Sequence, residues 1–144
     1  MLFRRTVLTL VAALVATACG KSGKDATAPD TSYVGSYSLA SIDGDPVPLI
    51  LVFQPSLIVT LESGSLALDA NQIFTETTTR RSIVAGVTQP AQQLICRGTY
   101  VKIDNILTLT ALGPDCVGTT LLGTFDGDSV AITDGSGEKL VFRR

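Results

Sequence analysis

The chain contains no histidine and no tryptophan among its 144 residues. The lack of histidine removes the usual general base of serine and cysteine hydrolases and the commonest side-chain metal ligand. A basic surface for nucleic acid is also missing, because 13 acidic residues outnumber 11 basic ones. We therefore expect a protein that is not an enzyme, holds no metal or cofactor and binds no nucleic acid.

The chain also lacks an apolar run long enough to span a membrane as a helix. Its N-terminal run of apolar and small side chains, residues 7–18, has 12 residues, whereas a membrane-spanning helix needs about 20. Arg4 and Arg5 precede this run, and small side chains lead directly from it to Cys19. A positive segment, a short apolar run and small residues together predict a bacterial export signal over residues 1–18.

The segment that ends at Cys19 resembles the lipobox of bacterial lipoproteins, in which the cysteine is acylated and becomes the new N-terminus. The resemblance implies lipidation of Cys19; the alternative is a plain secretory signal with a cysteine beside its cleavage site. Lipoboxes usually have leucine three residues before the cysteine, where this chain has Ala16. Gly20, rather than aspartate, follows the cysteine, which resembles lipoproteins sent to the outer membrane. We therefore expect an exported chain, anchored by lipid to the periplasmic face of the outer membrane.

Cysteine is scarce, with three residues in all. If Cys19 is lipidated, Cys96 and Cys116 remain as a pair in an oxidising compartment, where pairing is the usual outcome. A disulfide between them would close a loop of about 20 residues and stabilise the fold by about 3 kcal/mol. A zinc site would need more ligands than two cysteines, and a catalytic cysteine would lack its usual imidazole base.

The composition divides the chain into three parts. Residues 20–32 are rich in Gly, Ser, Thr, Asp and Pro without hydrophobic periodicity, so residues 19–32 are predicted to be an acylated cysteine followed by a flexible tether. Residues 33–144 then form one domain of ordinary size.

Within this domain, short apolar or alternating segments are separated by turn residues such as Asp-Gly and Asp-Asn. Residues 82–91, which include Gly86 and Pro90, are predicted to be the longest loop. Eight or nine strands in sequential hairpins need their edges protected, and closure into an up-and-down β-barrel of about eight strands achieves this. A two-sheet β-sandwich is the alternative. The predicted strand segments are residues 35–42, 49–53, 57–61, 65–68, 73–81, 93–103, 106–112, 119–125, 130–133 and 140–143. Of these, 49–53 and 57–61 are either two short strands or one bent strand.

Two short motifs resemble the small lipocalin-like domains found in bacterial lipoproteins. They are Gly-Ser-Tyr at residues 35–37 and Leu-Val-Phe-Arg-Arg at residues 140–144. In classical lipocalins the first strand carries Gly-X-Trp, and an arginine near the end of the last strand packs over that tryptophan. The resemblance implies that Tyr37 takes the aromatic place and Arg143, or else Arg144, the basic one. It also implies a barrel that binds a small ligand. The alternative is an ordinary core tyrosine and a solvated chain end.

Charged residues offer few further candidate sites. Strand alternation over residues 73–81 places Glu76 and Arg80 on one face with Phe74, so Glu76, Arg80 and Arg81 line a barrel interior or mouth, or simply face solvent. Acidic pairs occur at predicted turns, where turn chemistry explains them and a calcium site is the alternative. These pairs are Asp43 with Asp45, Asp126 with Asp128, and Asp134 with Glu138.

Two functions follow from these expectations. In the first, the barrel interior holds a small apolar or amphipathic molecule at the membrane surface. In the second, the interior is packed, and the outer face or a loop such as residues 82–91 docks a protein of the cell envelope. Small inward-facing side chains would favour the first function, and large ones the second.

Overall fold

The computed structural model of this chain describes residues 30–113, 116 and 120–144. The predicted signal peptide and Cys19 lie outside the described residues. In the described part of the chain, no helix is long and apolar enough to cross a membrane, and the regular structure consists of strands. These are β1 Gly35–Ile42, β2 Asp45–Pro46, β3 Leu49–Gln54, β4 Leu57–Leu68, β5 Ile73–Val84, β6 Val87–Thr88, β7 Gln92–Ile103, β8 Ile106–Ala111, β9 Thr120–Asp126, β10 Ser129–Thr133 and β11 Lys139–Arg143.

Eight of these strands form a closed antiparallel barrel. Their order around the barrel is β1, β4, β5, β7, β8, β9, β10 and β11, and β11 pairs with β1 to close the circle. The short strands β2, β3 and β6 lie outside the circle, paired with β1, β4 and β5. The predicted up-and-down, lipocalin-like barrel is therefore confirmed. The sandwich alternative is excluded because one continuous ladder returns to its first strand.

Strand alternation decides which side chains face the barrel interior. Directly opposite residues of antiparallel strands share a face, and Phe74 on β5 lies opposite both Leu68 and Gly98. Phe74 is fully buried, whereas its neighbour Ile73 is exposed. Glu76, two residues further along, therefore faces the interior as the alternation predicted.

The largest core side chains lie at one end of the barrel, which we call the base. The base is the end at which β1 begins and β11 ends, and the opposite end is the mouth. Four large aromatic side chains, Tyr37, Phe74, Tyr100 and Phe142, are almost completely buried near the base, and among the described residues every charged residue keeps part of its surface exposed. Burial of such side chains contributes about 25 cal/mol for each Å² of apolar surface, so these four rings contribute strongly to stability.

The prediction of a long loop over residues 82–91 is wrong. β5 continues to Val84, reverses through Ala85 and Gly86, and returns as β6. Both turn residues have positive φ, 47° and 81°, which matches a two-residue hairpin turn. The segments predicted separately at residues 57–61 and 65–68 are likewise one strand, β4, whose register shifts near Glu62.

A sheet extension projects beyond the mouth. It consists of β3, residues 57–61 of β4, residues 82–84 of β5, and β6. Along one edge of β4, β1 pairs with residues 65–68 and β3 takes over at residues 57–61. Residues 49–61 and 82–95 contain no charged side chain. Phe53 is 78% exposed and Val87 61% exposed, so the sheet extension presents uncharged apolar surface to its surroundings.

Candidate functional site

Tyr37 and Arg144 form the aromatic–arginine pair at the base. The guanidinium carbon of Arg144 lies 4.8 Å from the centroid of the Tyr37 ring, and Nη2 lies 2.8 Å from the Tyr37 hydroxyl oxygen. The prediction of Arg143 for this place is corrected. Arg143 pairs with Ser38 in the β1–β11 ladder, and because Phe142 faces inward, the next residue, Arg143, faces outward.

Residues 30–34 cross the base and are held there by Arg144. Its Nη2 lies 2.7 Å from the carbonyl oxygen of Ser32 and 2.8 Å from that of Val34. The last residues of the predicted tether, 30–32, therefore lie against the barrel and belong to its structure.

Aromatic rings complete the closure of the base. Tyr33 packs edge-on against Tyr100, with centroids 6.0 Å apart, and against Phe125, at 6.3 Å. The ammonium of Lys102 lies 4.9 Å from the centroid of the Tyr33 ring and 3.0 Å from a carboxylate oxygen of Asp30. Burial raises the pKa of Tyr100 to about 12, in keeping with a sealed, poorly solvated end. A ligand would therefore enter from the mouth.

The predicted disulfide between Cys96 and Cys116 is present, with Cα atoms 4.9 Å apart. It joins the wall strand β7 to the connection between β8 and β9. Cys96 lies opposite Glu76 in the β5–β7 ladder, so the sulfur of Cys96 is part of the barrel interior. The disulfide fixes one side of the mouth.

A cavity of about 120 Å³ occupies the mouth half of the barrel. Leu51 and Glu138 line it and are exposed, so the cavity reaches solvent at the mouth. Most of its wall is apolar. The apolar lining consists of Leu39, Ile42, Leu51, Leu61, Leu94, Leu121, Ile132 and Leu140, together with Cys96.

One wall of this cavity is polar, because β5 places Glu76, Thr78 and Arg80 along it. Each lies two residues from the next, so all three face inward. Nε of Arg80 is buried and has no hydrogen-bond partner among the described residues. The ion pairs of the described chain are Arg81–Glu62 and Lys102–Asp30, so neither Glu76 nor Arg80 belongs to one. We call Glu76, Thr78 and Arg80 the polar stripe.

The turn between β10 and β11 adds two more carboxylates to the cavity wall, those of Asp134 and Glu138. One oxygen of Asp134 accepts hydrogen bonds from the Ser136 hydroxyl at 2.6 Å and from the amides of Ser136 and Glu138 at 2.9 Å. This is the turn chemistry that the sequence predicted. Burial, and secondarily the charge of Asp134, raises the pKa of Glu76, and the opposing effect of Arg80 is smaller.

The other predicted charged candidates do not join this site. Arg81 faces outward and pairs with Glu62, as expected for the residue next to the inward-facing Arg80. The Asp43 carboxylate accepts a hydrogen bond from the backbone amide of Lys139 at 2.8 Å, which joins two turns of the mouth. Among the described residues, no three His, Cys, Asp or Glu side chains lie close enough together to hold a metal ion.

Sequence reasoning recognised Glu76, Arg80, Asp134 and Glu138 individually but not as one site. Alternation gives the face on which Glu76 and Arg80 lie. The proximity of Asp134 to that face depends on barrel closure, which brings β10 and β11 across from β5. No local sequence pattern predicts this proximity, although the alternation with a period of two on β10 and β11 does predict which of their side chains face inward.

Comparison of the chain with protein-family models, with curated proteins and with solved structures found no significant match. The geometry of the barrel is therefore the basis on which a function is proposed.

Proposed function

We propose that this chain is a lipid-anchored, ligand-binding protein of the bacterial cell envelope. Cys19 would carry the lipid, at the periplasmic face of the outer membrane, and the mouth cavity would hold a small amphipathic molecule. The observation that carries this proposal is the cavity itself, in which apolar walls surround Glu76 and Arg80, and neither of these has an ion-pair partner among the described residues. Charges that are partly removed from water without a partner are costly, and a bound polar group would offset that cost.

The size of the cavity restricts the ligand. Ligand pockets commonly measure about 300–1,000 Å³, whereas an engineered apolar cavity of about 150 Å³ accepts benzene. At about 120 Å³, the mouth cavity suits a molecule with few heavy atoms, or one end of a longer molecule that extends along the sheet extension. The packed base prevents deeper entry.

Native mass spectrometry of the full chain tests the proposal. The protein is incubated with a total lipid and metabolite extract of a bacterial envelope and is then released into the gas phase. We expect a discrete added mass that survives gentle activation and is lost on unfolding. Arg80→Met should reduce this adduct, whereas Arg81→Met, on the outer face of the same strand, should not. An absence of any adduct under these conditions would refute ligand binding.

The sheet extension favours a second candidate function, the docking of an envelope protein. Its uncharged surface, with Phe53 78% exposed, is typical of interaction sites. Photo-crosslinking in cells, from a photoreactive residue at position 53, tests this. A discrete crosslinked protein should form from position 53 but not from position 101, since Val101 is also exposed, at 51%, but lies on the barrel wall. Equal crosslinking from both positions would indicate non-specific contact.

A further inference from the structure

The mouth cavity is amphipathic in cross-section, and this feature restricts the chemistry of its ligand. The polar stripe runs along β5, and Leu39, Ile132 and Leu140 are among the apolar side chains of the other walls. We propose that the ligand is a small zwitterion with an apolar side chain, its ammonium group at Glu76 and its acidic group at Arg80. This inference rests on the proposed ligand-binding function and deepens it.

The spacing of the two charges fits a ligand with two charged groups. Glu76 lies opposite Leu66, and Arg80 opposite Leu61, so Glu76 is deeper in the barrel and Arg80 is nearer the mouth. Their Cα atoms are separated by four strand residues, about 13 Å. Their side chains form no ion pair with each other. Between them, the hydroxyl of Thr78 can hydrogen-bond either group of a ligand that spans the gap.

A ligand with only a negative charge suits this cavity poorly. Arg80 would attract it, but the carboxylates of Asp134 and Glu138 also line the cavity. With Glu76, three acidic groups face one basic group. In a confined space of low polarity, like charges repel more strongly than in bulk water. A simple fatty-acid-like anion is therefore disfavoured.

A ligand with only a positive charge leaves a different problem. It would satisfy Glu76 and be attracted by Asp134, but Nε of Arg80 would remain buried without an acceptor. An unsatisfied buried donor of this kind costs about 1–3 kcal/mol, and more when the group is charged. A zwitterion supplies the acceptor for Arg80 and the donor for Glu76 at once.

Four probes test this inference, since they share a six-carbon chain and differ in the polar groups that it carries. They are 2-aminohexanoic acid, hexanoic acid, hexylamine and hexan-1-ol. The full chain is held in nanodiscs of phosphatidylglycerol, a lipid without an ammonium group, and each probe is titrated by calorimetry with empty nanodiscs subtracted. We expect 2-aminohexanoic acid to bind at least about tenfold more tightly than the others, the scale of one charge-assisted hydrogen bond.

Variants of β5 identify the groups responsible. Arg80→Met should weaken binding of 2-aminohexanoic acid about tenfold and leave that of hexylamine within about twofold, whereas Glu76→Gln should weaken both. Arg81→Met is the matched control and should change neither. Arg80→Lys keeps the charge but lacks Nε, so it tests the same contact if Arg80→Met folds poorly.

The outcomes distinguish failure of the zwitterion inference from failure of the ligand-binding function. If hexanoic acid, hexylamine or hexan-1-ol binds as tightly as 2-aminohexanoic acid, the zwitterion is wrong but ligand binding stands. Unchanged affinity for 2-aminohexanoic acid in both Arg80→Met and Glu76→Gln also overturns it. If none of the four probes binds and the envelope extract gives no adduct, the ligand-binding function itself fails.

Discussion

Replacing Arg144 with methionine should destabilise the barrel, whereas the same change at Arg143 should not. Arg144 lies over the Tyr37 ring and ties residues 30–34 to the base. Arg143 faces outward and is exposed. Methionine keeps much of the length of arginine but removes its charge and hydrogen-bond donors, so the two variants compare one chemical change in two settings.

The expected magnitude follows from the contacts of one nitrogen. Nη2 of Arg144 lies within 2.8 Å of three oxygens but has two hydrogens, so it supplies two hydrogen bonds. Because Arg144 is exposed, each contributes about 1 kcal/mol rather than the larger value of a buried charged bond, and the cation–π contact adds about 0.5 kcal/mol. Water recovers part of this loss. We therefore expect Arg144→Met to cost about 2 kcal/mol, and Arg143→Met to stay within about 0.5 kcal/mol.

Urea unfolding of the full chain, with the disulfide intact, measures both values. Tyrosine fluorescence is a suitable signal because the chain has 3 tyrosines and no tryptophan. At a slope of about 2 kcal/mol per M, the midpoint of Arg144→Met should fall by about 1 M. Equal midpoints for the two variants would refute the role of Arg144, and a larger loss in Arg143→Met would contradict the outward orientation of that residue.

Three further changes have outcomes that the structure specifies. Gly98→Ala should destabilise the fold by about 3 kcal/mol in the same urea assay, because its Cβ would overlap the carbonyl oxygen of Thr110 and come within 2.6 Å of the Phe74 ring. Replacing both Cys96 and Cys116 with alanine should also cost about 3 kcal/mol, the loop-closure value for a sequence separation of 20. Below about pH 4.3, the ordinary glutamate pKa, the free energy of unfolding of Glu76→Gln should change with pH as that of the wild type does. As the pH rises above this value, Glu76→Gln should become more stable relative to the wild type. The reason is that the raised pKa of Glu76 favours its protonated form in the folded state, and that contribution is lost as Glu76 ionises.

Gly98→Ala has a matched control on the same chain. Gly113→Ala adds a Cβ whose nearest neighbour is the Cys116 sulfur at 3.9 Å, an ordinary contact, so it should stay within about 0.5 kcal/mol of the wild type. If Gly98→Ala were as stable as Gly113→Ala, the close approach of strands at residue 98 would be wrong.

The sequence predicted strands and their inward-facing side chains most reliably where one face of a strand is buried and the other is solvated. The bounds of β1, Gly35–Ile42, match the prediction, since Asp43 and Gly44 end the strand with positive φ. On β5 the alternation correctly separated Phe74 and Glu76 from Ile73. In both strands the hydrophobic period of two reports burial directly.

The sequence failed where burial does not alternate. Residues 82–91 are uncharged, and all of them are exposed or partly exposed, so periodicity could not distinguish strand from loop there. The choice between Arg143 and Arg144 depended on which of two neighbours shares a face with Phe142. The set of residues that meet at the mouth site could not be predicted from local sequence, because closure of the barrel brings them together. Lipidation of Cys19 and export stay predictions, because those residues lie outside the described chain.

The two ends of the barrel differ in whether their charged side chains have partners, and this difference bears on function. At the base, Arg144 and Lys102 both have partners, and the side chains around them are aromatic. At the mouth, Glu76 and Arg80 are turned inward and have no ion-pair partner in the described part of the chain, although leucine at either position would extend the apolar wall and remove a desolvation cost. A barrel shaped for stability alone would not place two unpaired charges in its own cavity. Stability is commonly given up where a site must recognise a ligand, so the polar stripe is where a recognition role for this fold should be sought.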